Sequence, residues 1–149
     1  SWTGPRPKDR DVKHAQLFDV TDLQGVVDRA AEINSFNGQN VYIGAALRNP
    51  QAAERKRASG EDCLLLFAVY VDLDDAGVAE AAVEKIKNLQ PSFTVTTGEI
   101  PHLRRQLWWK LDDPLGDFAK SEALIKAMSQ ALDGDASVSD TPRVMRLAG

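Results

Sequence analysis

Two aspartates at the end of a long apolar run are the residues with the clearest chemical potential. Asp72 and Asp74 close the run 64–73, which reads as the strongest strand of the sequence. Side chains alternate between the two faces of a strand, so both carboxylates project from one face. Like charges this close repel unless a cation lies between them, and their hard oxygen atoms suit Mg²⁺ or Mn²⁺. The pair indicates a divalent-metal site, although an acidic turn gives the same local pattern.

A second run, residues 104–111, alternates polar and apolar side chains. Arg104, Gln106, Trp108 and Lys110 share one predicted strand face. Two cations, an amide and an aromatic ring suit phosphate binding and stacking on a base. Beside an acidic pair, such a face is the layout that phosphoryl transfer needs, because metals and cations must share the triphosphate charge. The alternative is an ordinary wet sheet face on which a neighbouring segment covers Trp108.

A third polar segment follows the last predicted helix. Asp135 and Asp140 lie in it and precede two arginines three residues apart, Arg143 and Arg146. The carboxylates are candidates for a further metal ligand, and the arginines are candidates for phosphate contacts. Surface salt bridges are the alternative interpretation of the arginines.

The elements that must position these residues alternate between helix and strand. Apolar spacing predicts helices over 21–34, capped by Thr21, and over 78–89 and 117–132. Strands are predicted over 41–47, 64–73, 92–97, 104–111 and 144–147. The core face of the strongest strand is predicted to carry Phe67, Val69, Val71 and Leu73. This order predicts an α+β fold, with a mostly antiparallel sheet covered by helices on one face.

Composition sets the bounds. The 149 residues are 43% hydrophobic and 27% charged, which predicts one globular domain over 13–149 after a lead-in over 1–12. We expect this domain to be a fragment of a longer multidomain protein. Cys63 is the single cysteine and no apolar run is long enough to span a membrane, so a reducing, cytoplasmic location is expected. A formal net charge of −4 is unusual for a nucleic-acid binder, but a carboxylate-rich metal site is compatible with it.

The order of the three motifs resembles the archaeo-eukaryotic primase superfamily, particularly the primase-polymerase domains of phage and plasmid replication proteins. The first family motif, a carboxylate pair, is similar to Val71-Asp72-Leu73-Asp74. The second, Ser-Gly followed by His-x-Tyr-Trp, is similar to Thr97-Gly98 and the later Trp108-Trp109-Lys110-Leu111. The third, an Asp followed by arginines and a Leu-Pro-Gly-like ending, is similar to residues 135–149. The resemblance covers residues 41–149.

The resemblance implies a fold and a reaction. The fold would be an RRM-like palm preceded by an αβ unit. Asp72, Asp74 and Asp135 would hold two Mg²⁺ or Mn²⁺ ions for template-directed nucleotidyl transfer, with Asp140 as the other candidate for third ligand. The enzyme would be a DNA primase or polymerase in the replication of a phage, a plasmid or an integrated element.

The family histidine, which binds the phosphates of the incoming nucleotide, has two candidate positions here. Counting from Gly98 places it at His102, and counting back from the Trp108 run places it at Gln106. Strand alternation favours Gln106 for the site face, and Arg104 would supply the charge that a glutamine lacks. Arg143 and Arg146 would contact nucleotide or template phosphates.

The implied partners are a single-stranded DNA template and NTP or dNTP, with a helicase domain expected further along the parent chain. The predicted template contacts are Trp108, Lys110 and Arg48, the last with Arg55 and Arg57 of a basic connector. One alternative is a non-catalytic RRM-like module that binds single-stranded nucleic acid or nucleotide. A replication-initiator nuclease needs a closely spaced histidine pair, whereas His14 and His102 lie far apart in the sequence.

Overall fold

The computed structural model describes residues 15–52 and 59–147. The predicted lead-in over 1–12 and the basic residues Arg55 and Arg57 lie outside these ranges. A 3₁₀ turn, Gly60–Asp62, lies directly before the strand that begins at Cys63. In chain order the described elements are α1 (Leu23–Asn34), β1 (Tyr42–Gly44), β2 (Ala46–Arg48), β3 (Cys63–Leu73), α2 (Val78–Lys85), β4 (Phe93–Gly98), β5 (Arg104–Leu115), α3 (Phe118–Ala131) and β6 (Val144–Arg146).

The strands form one antiparallel sheet and one separate ribbon. The four-stranded sheet has the order β2-β3-β5-β4, and β1 pairs with β6 in the two-stranded ribbon. Every described pairing is antiparallel. The predicted α+β class with an antiparallel sheet is therefore confirmed.

Strand β3 is the centre of the core because apolar side chains fill its inner face. Val69, Val71 and Leu73 are buried, as the alternation predicts, and they lie in one apolar cluster with Ile125 of α3. The predicted inward position of Phe67 is wrong, since its side chain is 43% exposed. The pairing of β3 with β5 changes register between Leu66 and Ala68, and this irregularity interrupts the alternation at Phe67.

The predicted strand over 41–47 is two short strands in different sheets. Strand β1 pairs with β6, whereas β2 pairs with the start of β3. Ala45 lies between them, where the chain passes from the ribbon to the sheet. This division brings β6, and the arginines around it, next to the end of β3.

The helices differ from prediction mainly at their ends. Helix α1 is capped by Asp22, whose carboxylate accepts a hydrogen bond from the Gly25 N–H at 3.0 Å. The expected cap, Thr21, instead donates from its own N–H and hydroxyl to Asp19. Helix α2 ends at Lys85, four residues before the predicted end, and strand β5 continues to Leu115 rather than ending at residue 111.

The apolar stripe of α1 is not buried by the described part of the chain. Leu23 is 72% exposed and Val27 is 60% exposed, and no residue of this helix is buried. Helical spacing predicted the helix correctly, but it did not show whether the stripe packs against the sheet. Among the described helices, none is long and apolar enough to cross a membrane.

Candidate active site at the end of strand β3

The ends of two neighbouring strands bring the predicted site residues together. Asp72 on β3 is directly opposite Gln106 on β5; Asp74 follows the last residue of β3, and Arg104 is the first residue of β5. All four side chains line one open pocket, as strand alternation predicts. This pocket has a volume of about 230 Å³, and its other lining residues are Tyr42, Thr97, Val138, Arg143, Val144, Met145 and Arg146.

Asp72 lies in an environment that opposes its negative charge. Its Oδ1 atom is buried and has no hydrogen-bond partner among the described residues. Burial raises the pKa of this carboxyl to about 6, and the charges of Asp74 and Asp135 add to the rise. A hydrogen bond from Gln106 and the charge of Arg143 lower the pKa by smaller amounts. A cation between the carboxylates would favour the charged form of Asp72 and so oppose the rise in its pKa.

The two carboxylates fit a divalent cation whose remaining ligands come from a bound phosphate group and water. Within residues 15–52 and 59–147, no group of three His, Cys, Asp or Glu side chains is arranged to hold a metal ion. Mg²⁺, however, usually binds one or two carboxylates together with substrate phosphates and water. The unpartnered oxygen of Asp72 and the neighbouring Asp74 supply such a pair on the pocket wall. The residues present therefore fit Mg²⁺ or Mn²⁺ as part of a nucleotide complex.

Asp135 lies directly beside the pair. Its backbone N–H donates to the carbonyl oxygen of Asp72 at 2.9 Å, which fixes its loop to the end of β3. Gly134 permits this approach, because a Cβ there would lie 2.7 Å from both the Asp72 carbonyl oxygen and Val71 Cγ1. The Asp135 carboxylate accepts from the Ser137 N–H at 2.8 Å, and its side chain is not among those lining the pocket. Its proximity nevertheless raises the pKa of Asp72.

Asp140, the other candidate for third ligand, is engaged elsewhere. Its carboxylate accepts from Arg143 Nε at 2.7 Å and forms an ion pair with that side chain. Its backbone carbonyl accepts from the Tyr70 hydroxyl at 3.1 Å. Neither Asp135 nor Asp140 lines the pocket, but the charge of Asp135 acts on Asp72 whereas Asp140 is paired with Arg143, so Asp135 stays the predicted third carboxylate.

The two candidates for the family histidine have different surroundings. Gln106 is 4% exposed, lines the pocket and hydrogen-bonds to Asp72. His102 Nε2 lies 2.7 Å from the backbone carbonyl oxygen of Asp74, which can only accept, so this nitrogen carries the proton and donates. His102 thus holds the end of β3 in place, and it is Gln106 that lies on the site face.

Three arginines line the same pocket as the acidic pair, and each donates a hydrogen bond to a backbone carbonyl. Arg104 donates to the Ile100 carbonyl at 3.3 Å and lies across Gly98, where a Cβ would come within 2.8 Å of its guanidinium carbon. Arg143 donates to the Ser137 carbonyl at 3.0 Å in addition to its ion pair. Arg146 donates to the Thr97 carbonyl at 3.3 Å. All three side chains line the pocket.

The loop that carries the third motif is held by residues that the sequence did not single out. Glu122 of α3 accepts from both the N–H and the hydroxyl of Thr141, each at 2.8 Å. Thr141 is 1% exposed, so this carboxylate satisfies two buried donors. The hydroxyl of Tyr70, on β3, donates to the backbone carbonyl of Asp140, the residue before Thr141. The signal available in the sequence was only an acidic residue on an amphipathic helix, which is too common to indicate a contact.

Two of the three predicted template contacts have other partners in the structure, and the third is exposed. Trp108 is 5% exposed, and its ring packs against Tyr70 and is stacked on Phe93, so it offers no free face to a base. Arg48 donates to the Pro142 carbonyl at 3.0 Å and to the Cys63 thiol, so it binds the third-motif loop to the sheet. Lys110 is exposed but lies outside the pocket lining, and its template contact stays a prediction.

The described elements form an α+β fold that is similar to a solved structure, the AEP (archaeo-eukaryotic primase) domain of the cyanophage S-2L primase-polymerase (PP-N190), with a TM-score of 0.59. Sequence identity is 23%, and the similarity covers 85% of this chain and 60% of that chain. The predicted fold is therefore confirmed, and this chain spans less than two thirds of that domain. No protein-family model and no curated protein matches the sequence.

Proposed function

We propose that this chain is a primase-polymerase core that joins nucleotides on a DNA template with the help of divalent metal ions. The single observation that carries the proposal is the pocket in which Asp72 and Asp74 face three arginines across the end of an antiparallel sheet. The resemblance of the three motifs and the likeness of the fold support the same assignment. Replication of a phage, a plasmid or an integrated element is the corresponding biological role.

The reaction would join the 3′-hydroxyl of a primer to the α-phosphate of a nucleoside triphosphate and release pyrophosphate. When bound at Asp72 and Asp74, Mg²⁺ or Mn²⁺ would supply charge neutralisation and a lowered pKa for the attacking hydroxyl. Arg104, Arg143 and Arg146 would bind phosphate oxygens through charge-assisted hydrogen bonds. Holding both reactants in line accounts for most of the rate that such a site can provide.

Each of the three arginines donates to a backbone carbonyl, and these hydrogen bonds support the proposed role in phosphate binding. The hydrogen bonds to Ile100, Ser137 and Thr97 orient the three guanidinium groups before substrate arrives. An oriented cation reorganises less as charge develops, so it stabilises the transition state more than a mobile one does. Gln106 would add an uncharged donor on the pocket floor, where the family has a histidine.

The second candidate is a module that binds single-stranded nucleic acid without catalysis. It is favoured by the finding that no three-ligand metal group occurs in the part of the chain that the structure describes. Such a module would bind a template equally well with and without Mg²⁺ or Mn²⁺, and it would incorporate no nucleotide.

The two candidates are separated by a template-directed incorporation assay. The chain is incubated with a primed single-stranded template, labelled nucleotide and Mn²⁺, and compared with Asp72→Asn, Asp74→Asn and the control Asp113→Asn, which changes an exposed carboxylate far along β5. Incorporation by the wild type and by Asp113→Asn, with a loss of at least about 100-fold in the other two, is the expected result. Full activity in Asp72→Asn would refute the assignment, and metal-independent binding with no incorporation by any variant would favour the module.

A further inference from the structure

The pocket contains an aromatic residue to which the motifs assign no role. The sequence suggested Trp108 for stacking on a base, but its ring is buried between Tyr70 and Phe93. Among the described residues that line the pocket, Tyr42 is the aromatic one. It lies outside the three motifs, in the short strand β1.

Backbone pairing fixes where Tyr42 lies. In the β1–β6 ribbon Tyr42 is directly opposite Arg146, so the two side chains project from the same face of the ribbon. The Leu147 N–H donates to the Val41 carbonyl at 2.9 Å and continues the pairing beyond this register position. Arg146 also donates to Thr97 on β4, which joins the ribbon to the edge of the main sheet. Tyr42 is therefore held at the pocket beside a phosphate-binding candidate.

The structure gives Tyr42 no packing role that would explain its place. It is 53% exposed and does not belong to the apolar core. Neither of the ring-stacking pairs among the described residues includes it. An aromatic ring with an open face at the mouth of a cationic pocket is suited to a flat, partly apolar ligand group.

A nucleoside triphosphate combines a charged phosphate chain with a flat base, and the pocket combines arginines with an exposed aromatic ring. Its phosphates suit Arg104, Arg143 and Arg146, and its base suits an exposed aromatic ring. Resting on the proposed function, we infer that Tyr42 stacks on the base of the nucleotide whose triphosphate occupies the pocket. Every base has a π-face, so the ring would accept all four bases and would distinguish a nucleotide from a bare polyphosphate.

The test compares two ligands that share the phosphates and differ in the base. Equilibrium binding of each dNTP and of inorganic tripolyphosphate is measured in Mn²⁺ for the wild type, Tyr42→Ala, Tyr42→Phe and Phe36→Ala. Phe36 is an exposed aromatic residue outside the pocket lining and serves as the control. Circular dichroism confirms that each variant is folded.

Tyr42→Ala is expected to weaken dNTP binding by roughly 5- to 100-fold and to leave tripolyphosphate binding unchanged, since it removes one stacking contact. Tyr42→Phe and Phe36→Ala are expected to bind both ligands as the wild type does. Unchanged dNTP affinity in Tyr42→Ala would overturn the stacking role and leave the proposed phosphate site untouched. An equal loss for both ligands would also overturn the stacking role, because Tyr42 would then act on phosphate binding rather than on the base. A wild type that binds neither ligand would instead overturn the proposed function, and this inference with it.

Discussion

At the scale of single residues, Asp72 lies in an environment that disfavours its charged form. Its Oδ1 atom is buried without a partner, and burial and two neighbouring carboxylates raise its pKa to about 6. A group whose pKa is higher in the folded than in the unfolded chain stabilises the fold when protonated and loses that contribution as pH rises. Without metal, the protein should therefore lose this contribution as the pH rises from about 4 to about 6, and such a perturbed carboxyl is typical of functional sites.

We expect Asp72→Asn to increase the stability of the metal-free protein and to lower incorporation by at least about 100-fold. The shift from the ordinary value of 3.8 to about 6 corresponds to about 2–3 kcal/mol at most. In EDTA, the gain in unfolding free energy over the wild type should be small at pH 4, should grow mainly between pH 4 and pH 6, and should be nearly constant above pH 7. Asp74, Asp135 and Arg143, which act on Asp72, are the same in both proteins.

Urea unfolding at several pH values measures the difference. Asp113→Asn, at an exposed carboxylate, serves as the control for the loss of one negative charge. Wild type and Asp72→Asn profiles that stay parallel from pH 4 to pH 8 would show that Asp72 is not held in an unfavourable environment.

The residue scale also distinguishes the two candidates for third carboxylate. Asp135→Asn should lower incorporation by at least about 100-fold and raise the Mn²⁺ concentration needed for half-maximal incorporation, because it removes a negative charge close to Asp72, one of the two proposed metal ligands. Asp140→Asn should have a smaller effect, since that carboxylate forms an ion pair with Arg143. Both are measured as incorporation rate against Mn²⁺ concentration, and a larger loss in Asp140→Asn than in Asp135→Asn would reverse the assignment.

At the scale of elements, the loop between α3 and β6 decides whether the pocket exists. It is attached at Asp135 to β3, at Thr141 to α3 and at Pro142 to β2. These three attachments come from three different elements, so the loop acts as a bridge rather than as a free connection. The positions of Arg143 and Arg146 depend on it.

Gly134→Ala tests this bridge. The added Cβ would meet the Asp72 carbonyl oxygen and Val71 Cγ1 at 2.7 Å, so the loop must move away from β3. Overpacking of this kind typically costs about 1–3 kcal/mol. We expect a corresponding fall in thermal stability and a loss of incorporation, measured by thermal unfolding and by the template assay. Gly60→Ala is the matched control because a Cβ there meets no atom within 4 Å, and equal behaviour of the two variants would contradict the bridge.

The sequence predicted the parts of the site that depend on local pattern. Alternation along β3 and β5 placed Asp72, Asp74, Arg104 and Gln106 on one face, because a regular strand has a period of two residues. The same rule failed at Phe67, where the register changes, and it was uninformative for Trp108, whose face Phe93 covers. Periodicity shows the direction of a side chain but not what lies in front of it.

Contacts remote in sequence were beyond such reasoning. Glu122 and Thr141 are 19 residues apart, and Tyr70 and Asp140 are 70 apart, so neither contact leaves a periodic signal. The division of residues 41–47 into two strands was missed for the same reason, since it depends on the partner that each strand finds. Tyr42 became visible as a site residue only through that division.

At the scale of the whole molecule, a chain with a negative net charge brings three arginine side chains together at one pocket. The formal net charge is −4, yet three arginines and two aspartates meet at a single pocket on the sheet. The sheet supplies the acidic pair and Arg104, while the separate ribbon and its loop supply Arg143, Arg146 and Tyr42. The pocket therefore forms only when both the four-stranded sheet and the β1–β6 ribbon fold. For a charged ligand, the local charge of the pocket matters more than the net charge of the chain.

The most direct test of the account is a crystal structure of the chain with Mn²⁺ and a non-hydrolysable nucleoside triphosphate, with anomalous scattering used to locate the metal. We expect manganese in coordination with carboxylate oxygens of Asp72 and Asp74, and a triphosphate bound between the metal and the arginines at positions 104, 143 and 146. A nucleotide bound elsewhere, or a pocket without manganese at saturating concentration, would contradict it.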